Sequence, residues 1–236
     1  GGEVGRKGRT GRAGRAVEHD GPGVMVTAFL DARTWTAADV RANPERLAVL
    51  LRDFHAAMPG HVSGPAFLFW PFHVIRDYAR TLAGSTHAPA LPGLLALSAE
   101  MEAAQPPLPI VFAHHDLLPA NILDDGSRLW LIDFEYAGFG TAMFDLAGAA
   151  ANAGMDAAAA GTLLAAYFGR PPGPALVRAF DAMQVAALVR EAMWAMVSGL
   201  HLSAPGVDYD AYASENLDRL ATALDRYRMF HGKPRP

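Results

Sequence analysis

The chain contains no cysteine in its 236 residues, which excludes disulfides and thiolate metal sites. Lysine is nearly absent as well, with Lys7 and Lys233 the only two. No run of about 18 or more uncharged apolar residues reads as a membrane span. The Ala-rich stretch 142–168 comes nearest, and Asp145, Asn152 and Asp156 interrupt it. The N-terminus is basic and glycine-rich, without the apolar segment of a signal peptide. These absences lead to the expectation of a cytoplasmic protein with no membrane partner. Hydrophobic residues make up 51% of the chain, enough for a substantial core in one large domain or two small ones.

The formal net charge of −4 conceals an asymmetry. Residues 1–16 carry +4, from Arg6, Lys7, Arg9, Arg12 and Arg15 against Glu3, so the remainder carries −8. A mildly acidic body suits a cationic substrate and argues against nucleic acid. The basic head repeats Gly-Arg every three residues from Gly5. It lacks the proline of a collagen segment. Arg/Gly segments do contact phosphates, a weak exception to the no-nucleic-acid reading. Its composition is that of a disordered head over residues 1–15.

Beyond the head, Val24–Leu30 forms a short apolar run consistent with a buried strand. Asp31-Ala-Arg-Thr-Trp reads as a turn. Leu47, Leu50, Leu51, Phe54 and Met58 share one face of a helix that Pro44 opens. Phe72, Ile75, Tyr78, Ala79 and Leu82 mark a second helix, and Leu94, Leu95, Leu97 and Met101 a third. Ile110–Ala113 is a short strand. Residues 121–123 and 129–133 form a hairpin around Asp124-Asp125-Gly126-Ser127. From Ala142 onward the pattern is helical, over 142–153, 156–168, 173–201 and 208–230, with Gly154, Pro171-Pro172-Gly173-Pro174 and Pro205-Gly206 as separators.

The most selective segment is residues 112–135, FAHHDLLPANILDDGSRLWLIDFE. His114-x-Asp116 is followed by Asn121 five residues after the Asp, and by a turn and Asp133 twelve residues after the Asn. Phosphoryl transfer to an alcohol needs one carboxylate to accept the hydroxyl proton and oxygen ligands to hold Mg²⁺ against the phosphates. Asp116 is the expected base, with Asn121 and Asp133 as hard oxygen ligands for magnesium. His114 is expected to hold the loop in shape. Asp145, near the start of a helix, is expected either to cap that helix or to bind catalytic-loop amides. A His114–His115 metal pair is disfavoured, because adjacent strand residues point to opposite faces.

The block HHDLLPANILDDGSRLWLIDFEYAGFGTAMFDLA resembles the catalytic block of the choline/ethanolamine kinase and aminoglycoside phosphotransferase superfamily, above all its bacterial choline-kinase-like branch. GVMVTAFLDARTW and REAMWAMVSGLHLSAPGVDYDAYASENLDRL extend the resemblance to roughly residues 16–230. It implies an α+β, protein-kinase-like C-terminal lobe, mostly helical around a small catalytic hairpin. It also implies ATP and Mg²⁺ as cofactors and a small amino alcohol, choline or ethanolamine, as substrate. Residues 16–32 would then be a remnant of the N-terminal lobe and hinge, residues 33–230 the C-lobe, and residues 231–236 a tail. Adenine would meet hinge backbone at Thr27, Ala28, Phe29 and Leu30. Tyr136, Trp194 and Tyr212 stand where the family's aromatic residues enclose the substrate cation, by cation–π attraction. Glu135 adds negative charge. The usual Asn between His and Asp is His115 here, and a second tryptophan of the family is Glu191, which weakens choline specifically.

The front of the chain departs from the family. A strand lysine and a Gly-rich loop are required over the nucleotide phosphates. Lys7 lies in the Gly-Arg repeat, Lys233 lies at the far end, and glycines 5, 8, 11 and 14 do not make Gly-x-Gly-x-x-Gly. The expectation is therefore a phosphotransferase with its N-lobe truncated. An aminoglycoside or other metabolite kinase, and an inactive truncated homologue serving as a binding module, are the alternatives.

Overall fold

The computed structural model describes residues 29–202 and 206–232. The Gly/Arg head, the strand expected over residues 24–30 apart from Phe29 and Leu30, and the last four residues lie outside the described residues, as do Thr27 and Ala28.

The described chain opens with a two-residue strand β1 (Arg33–Thr34) and a short helix α1 (Ala37–Ala42), then α2 (Pro44–Ala57), α3 (Pro71–Leu82) and α4 (Leu91–Ala103). Strands β2 (Ile110–Ala113), β3 (Ile122–Asp124), β4 (Leu129–Leu131) and β5 (Gly138–Thr141) follow. Four helices close the chain: α5 (Ala142–Ala153), α6 (Ala157–Phe168), α7 (Pro174–His201) and α8 (Tyr209–His231). The architecture is α+β and mostly helical, with one antiparallel sheet in the order β1-β3-β4 and a two-stranded ribbon of β2 and β5.

Helix α7 is the axis of the core. From Ala179 to Met193 every residue is buried, as expected of a helix surrounded by others. It packs against α3, α4, α5 and α8. Helix boundaries follow local chemistry. Proline is the first residue of α2, α3 and α7 and the second of α4, where its missing N–H costs nothing. Asp156 and Asp208 cap α6 and α8 by accepting from Ala159 N and Ala211 N. Gly154 and Gly169 end α5 and α6 in left-handed conformations.

Residues 33–35 correct the expected turn. Arg33 and Thr34 pair with Asp124 and Leu123 as an edge strand, and Trp35 is buried. The cause is long-range. Asp124 accepts from Trp35 Nε1 at 3.1 Å and from Arg46 Nη1 at 2.8 Å, partners that lie 78 or more residues away in sequence. Helix α1 carries a capping box, Thr36 accepting from Asp39 N while Asp39 accepts from Thr36 N. Strand β5 was also not expected, since GFGT has no strand-like composition.

The two glycines of β5 explain its sequence. A Cβ at Gly138 would sit 2.8 Å from the Phe67 carbonyl, and one at Gly140 would sit 2.7 Å from the Phe69 carbonyl and 2.5 Å from His115 Nε2. Segment 67–69 is held there by Phe139 N donating to Phe67 O (2.8 Å) and Phe69 N to Phe139 O (2.7 Å). Gly140→Ala is therefore expected to destabilise the fold by about 1–3 kcal/mol through overpacking. Gly161→Ala, in α6 with open space around its Cβ position, is expected to stabilise by about 0.5–1 kcal/mol. Denaturant midpoints of the two variants measure the contrast. Equal midpoints would show that the β5 contact is not tight.

Candidate active site

The loop between β2 and β3 is suspended from one carboxylate. Asp145, in the first turn of α5 and 1% exposed, accepts from His114 N through Oδ2 and from His115 N through Oδ1, both at 2.8 Å. His55 Nε2 on α2 donates to the same Oδ2 at 2.8 Å, and His55 Nδ1 accepts from the Tyr167 hydroxyl at 2.8 Å. The helix cap of α5 is Thr141, which accepts from Met143 N. Asp145 thus bonds the amides of His114 and His115 and is not the cap of α5. Burial alone would raise its pKa, but the His55 bond and the His114 backbone donor outweigh this and hold it at about 2.

The second anchor is Ile132, immediately after β4. Its N–H donates to Asn121 O at 3.1 Å, and its carbonyl accepts from His114 Nε2 at 2.8 Å. Both ends of the 114–121 loop are thus clipped to one peptide. Asp133 follows directly, with a left-handed φ of 63°. With Nε2 donating, His114 Nδ1 accepts from Asp116 N at 3.2 Å, which fixes the backbone of Asp116. His114 acts here as a loop brace.

Asn121 is buried and donates through Nδ2 to Asp116 O at 2.8 Å, with a longer contact to Asp116 Oδ2 at 3.4 Å. Its amide N–H group is spent on Asp116, and Oδ1 is the remaining oxygen acceptor of the side chain. Asp133 is exposed and close enough to raise the pKa of Asp116. Asp116 itself is raised above the usual carboxylate value, chiefly by burial, with Arg190 opposing and Glu191 and Asp133 adding to the shift. The structure thus brings Asp116 and Asn121 into contact and Asp133 to the same side. Asn plus Asp is a hard-oxygen donor set of the kind magnesium takes. Among the described residues no group of three His, Cys, Asp or Glu side chains is gathered as a separate metal site.

The aromatic residues lie around α7. Trp194 and Tyr212 pack edge-to-face with centroids 6.0 Å apart, and the Tyr212 hydroxyl reaches Glu191 Oε2 at 3.4 Å. Tyr136 is arranged differently. The Arg190 guanidinium lies over its ring, 4.9 Å from the centroid, so that ring face is taken by a cation of the chain itself. Glu135 is exposed, and Phe29, the outermost hinge residue described, is 94% exposed.

Sequence reasoning missed His55, Tyr167 and Arg190. Signals existed for two of them. His55 falls on the apolar face of α2, one turn after Leu51, and Arg190 with Glu191 interrupts the apolar run of α7. A charged or polar residue in such a place requires a partner.

The sequence profile of the family described as "Phosphotransferase enzyme family" (APH) matches residues 11–180. A homoserine kinase of Pseudomonas aeruginosa is 35% identical over 137 residues, which is 54% of this chain and 43% of that protein. The chain thus spans less than half the length of the curated relatives it matches. Among solved structures, a choline/ethanolamine kinase family protein from Mesorhizobium loti superposes with a TM-score of 0.79 at 24% identity, covering 93% of this chain and 77% of that one. An ethanolamine kinase from Plasmodium vivax gives a TM-score of 0.72 at 18% identity, covering 92% and 69%. At such identities the likeness establishes the fold, which is protein-kinase-like.

Proposed function

The chain belongs to the phosphotransferase enzyme family (APH), and from that membership we propose that it transfers the terminal phosphoryl group of ATP to the hydroxyl of a small amino alcohol. The observation that carries this reading is the double clip at Ile132, which ties the Asp116 loop to the peptide preceding Asp133. Asp116 is the base that orients the acceptor hydroxyl and takes its proton. A pKa raised by burial makes it a better proton acceptor than an ordinary carboxylate. Asn121 Oδ1 and Asp133 would hold magnesium, which would supply neutralisation of charge on the transferring group. Among the described residues, Phe29 and Leu30 would offer backbone to the adenine.

Two substrate readings have support. Choline or ethanolamine is favoured by the likeness to proteins named for those substrates and by Trp194, Tyr212 and Glu191 standing together. A hydroxylated amino acid is favoured by the identity shared with homoserine kinases and by the occupied face of Tyr136.

ADP release is the direct test, with ATP, Mg²⁺ and a panel of choline, ethanolamine, L-homoserine and an aminoglycoside. Turnover of at least one amino alcohol, abolished by chelating the metal, is the expected result. Background rates throughout would end the phosphotransferase reading for this chain. They would favour a binding module, for which the absence of lysine between residues 8 and 232 speaks.

A further inference from the structure

Arg190 is only 2% exposed, in the middle of α7. Its Nη1 donates to Glu191 Oε1. Its Nε and Nη2 have no hydrogen-bond partner among the described residues. Buried guanidinium N–H groups are costly to leave unpaired. The two free nitrogens are not arbitrary: Nε–H and the neighbouring Nη2–H form the side-on edge of the guanidinium, the fork that matches a carboxylate bidentately. The group is held in place by Glu191 and by the Tyr136 ring, so the fork is preorganised. It lies near enough to Asp116 for its charge to act on that carboxyl. Glu191, next in sequence, lines a small cavity together with Asp116, Leu117 and Asn152.

We propose that Arg190 is a specificity-determining residue whose free side-on edge receives the carboxylate of the acceptor, so that the substrate is an α-amino acid bearing a side-chain hydroxyl. This rests on the phosphotransfer reading and narrows it. Glu191 with Tyr212 takes the ammonium, Arg190 the carboxylate, and Asp116 the hydroxyl. Choline and ethanolamine would occupy the acidic half of this site and leave the Arg190 fork buried and unpaired. The other oxyanion within reach of such a fork is the transferring phosphate. Arg190 adjoins Glu191, which shares a cavity with the proposed base Asp116, and this adjacency favours the acceptor side.

The test uses acceptor pairs that differ only by the carboxylate: L-serine against ethanolamine, and L-homoserine against 3-amino-1-propanol. With ATP and Mg²⁺, at least one carboxylate-bearing member is expected to show kcat/KM about tenfold or more above its partner, as loss of a charge-assisted hydrogen-bonded pair predicts. Most of the difference should lie in KM. Arg190→Lys, which keeps the charge and loses the fork, is expected to shrink that ratio, and the wild-type comparison stands even if this variant does not fold. Equal kcat/KM within both pairs overturns the inference while leaving phosphotransfer to small alcohols intact. An Arg190→Lys variant with raised KM for ATP and an unaltered acceptor ratio also overturns it, and assigns the fork to the phosphate. Turnover of no alcohol at all overturns both readings together.

Discussion

Asp116→Asn is expected to lower kcat by about 10²–10⁴-fold, the range for removing a positioned general base, while ATP–Mg²⁺ affinity stays near that of the wild type. The substitution isolates the proton acceptor because the loop does not depend on it. The main bond from Asn121 goes to the Asp116 carbonyl at 2.8 Å, and His114 Nδ1 accepts from the Asp116 amide, so backbone contacts survive the change. The pH profile gives a second readout. Because burial raises Asp116 above 3.8, kcat/KM should increase with pH through an acid limb above the ordinary carboxylate range. In the asparagine variant that limb should vanish. Steady-state kinetics across pH and calorimetric nucleotide binding measure both, and a rate within twofold of wild type would exclude the role.

The other large effect is structural and belongs to Asp145. Asp145→Ala leaves three buried donors without an acceptor: His114 N, His115 N and His55 Nε2. Breaking a buried pair typically costs about 3–5 kcal/mol. For a chain of this size that lowers Tm by roughly 6–20 °C, at about 2–4 °C per kcal/mol. Activity should fall along with stability, because the same bonds suspend the Asp116 loop. Protonation adds a signature. The native carboxyl titrates at about 2 against 3.8 when unconstrained. Its contribution is therefore complete above pH 3.8 and lost as pH falls through about 2. Asp145→Asn lacks that titration, so the stability gap between wild type and variant should narrow as pH drops through this window. Thermal unfolding as a function of pH measures it, and a constant gap would remove Asp145 from the account.

Much of this architecture was legible in the sequence where the signal is local. The boundaries of α2, α3, α5 and α6 are set by Pro44, Pro71, Thr141, Gly154, Asp156 and Gly169, all residues whose effect is confined to a turn or a cap. The spacing of Asp116, Asn121 and Asp133 was legible too, because a tight loop and a short hairpin leave the chain few ways to arrange them. What stayed hidden depends on distant partners. Arg33–Thr34 is a strand because Asp124 and its neighbours accept the pairing, and β5 is a strand because the segment 67–69 lies against it. The role of His55 needs α2 and α5 to be side by side, which no window of sequence contains. Arg190 shows the reverse case: its oddity was readable, and only the packed helix shows which of its nitrogens are left over.

Among the described residues, two other than glycine, His115 and Asp133, hold left-handed backbone at φ of 65° and 63°. Each conformation carries a strain of order 1–3 kcal/mol, and both occur within the segment that bears Asp116 and Asn121. Glycine would adopt these shapes without strain. At exposed Asp133, then, selection for a sturdier fold and selection for working chemistry would pull in opposite directions, and variants enriched for heat resistance alone would drift toward glycine there. His115 is buried and stacked on Phe69, so its packing offsets the strain and glycine would gain nothing there.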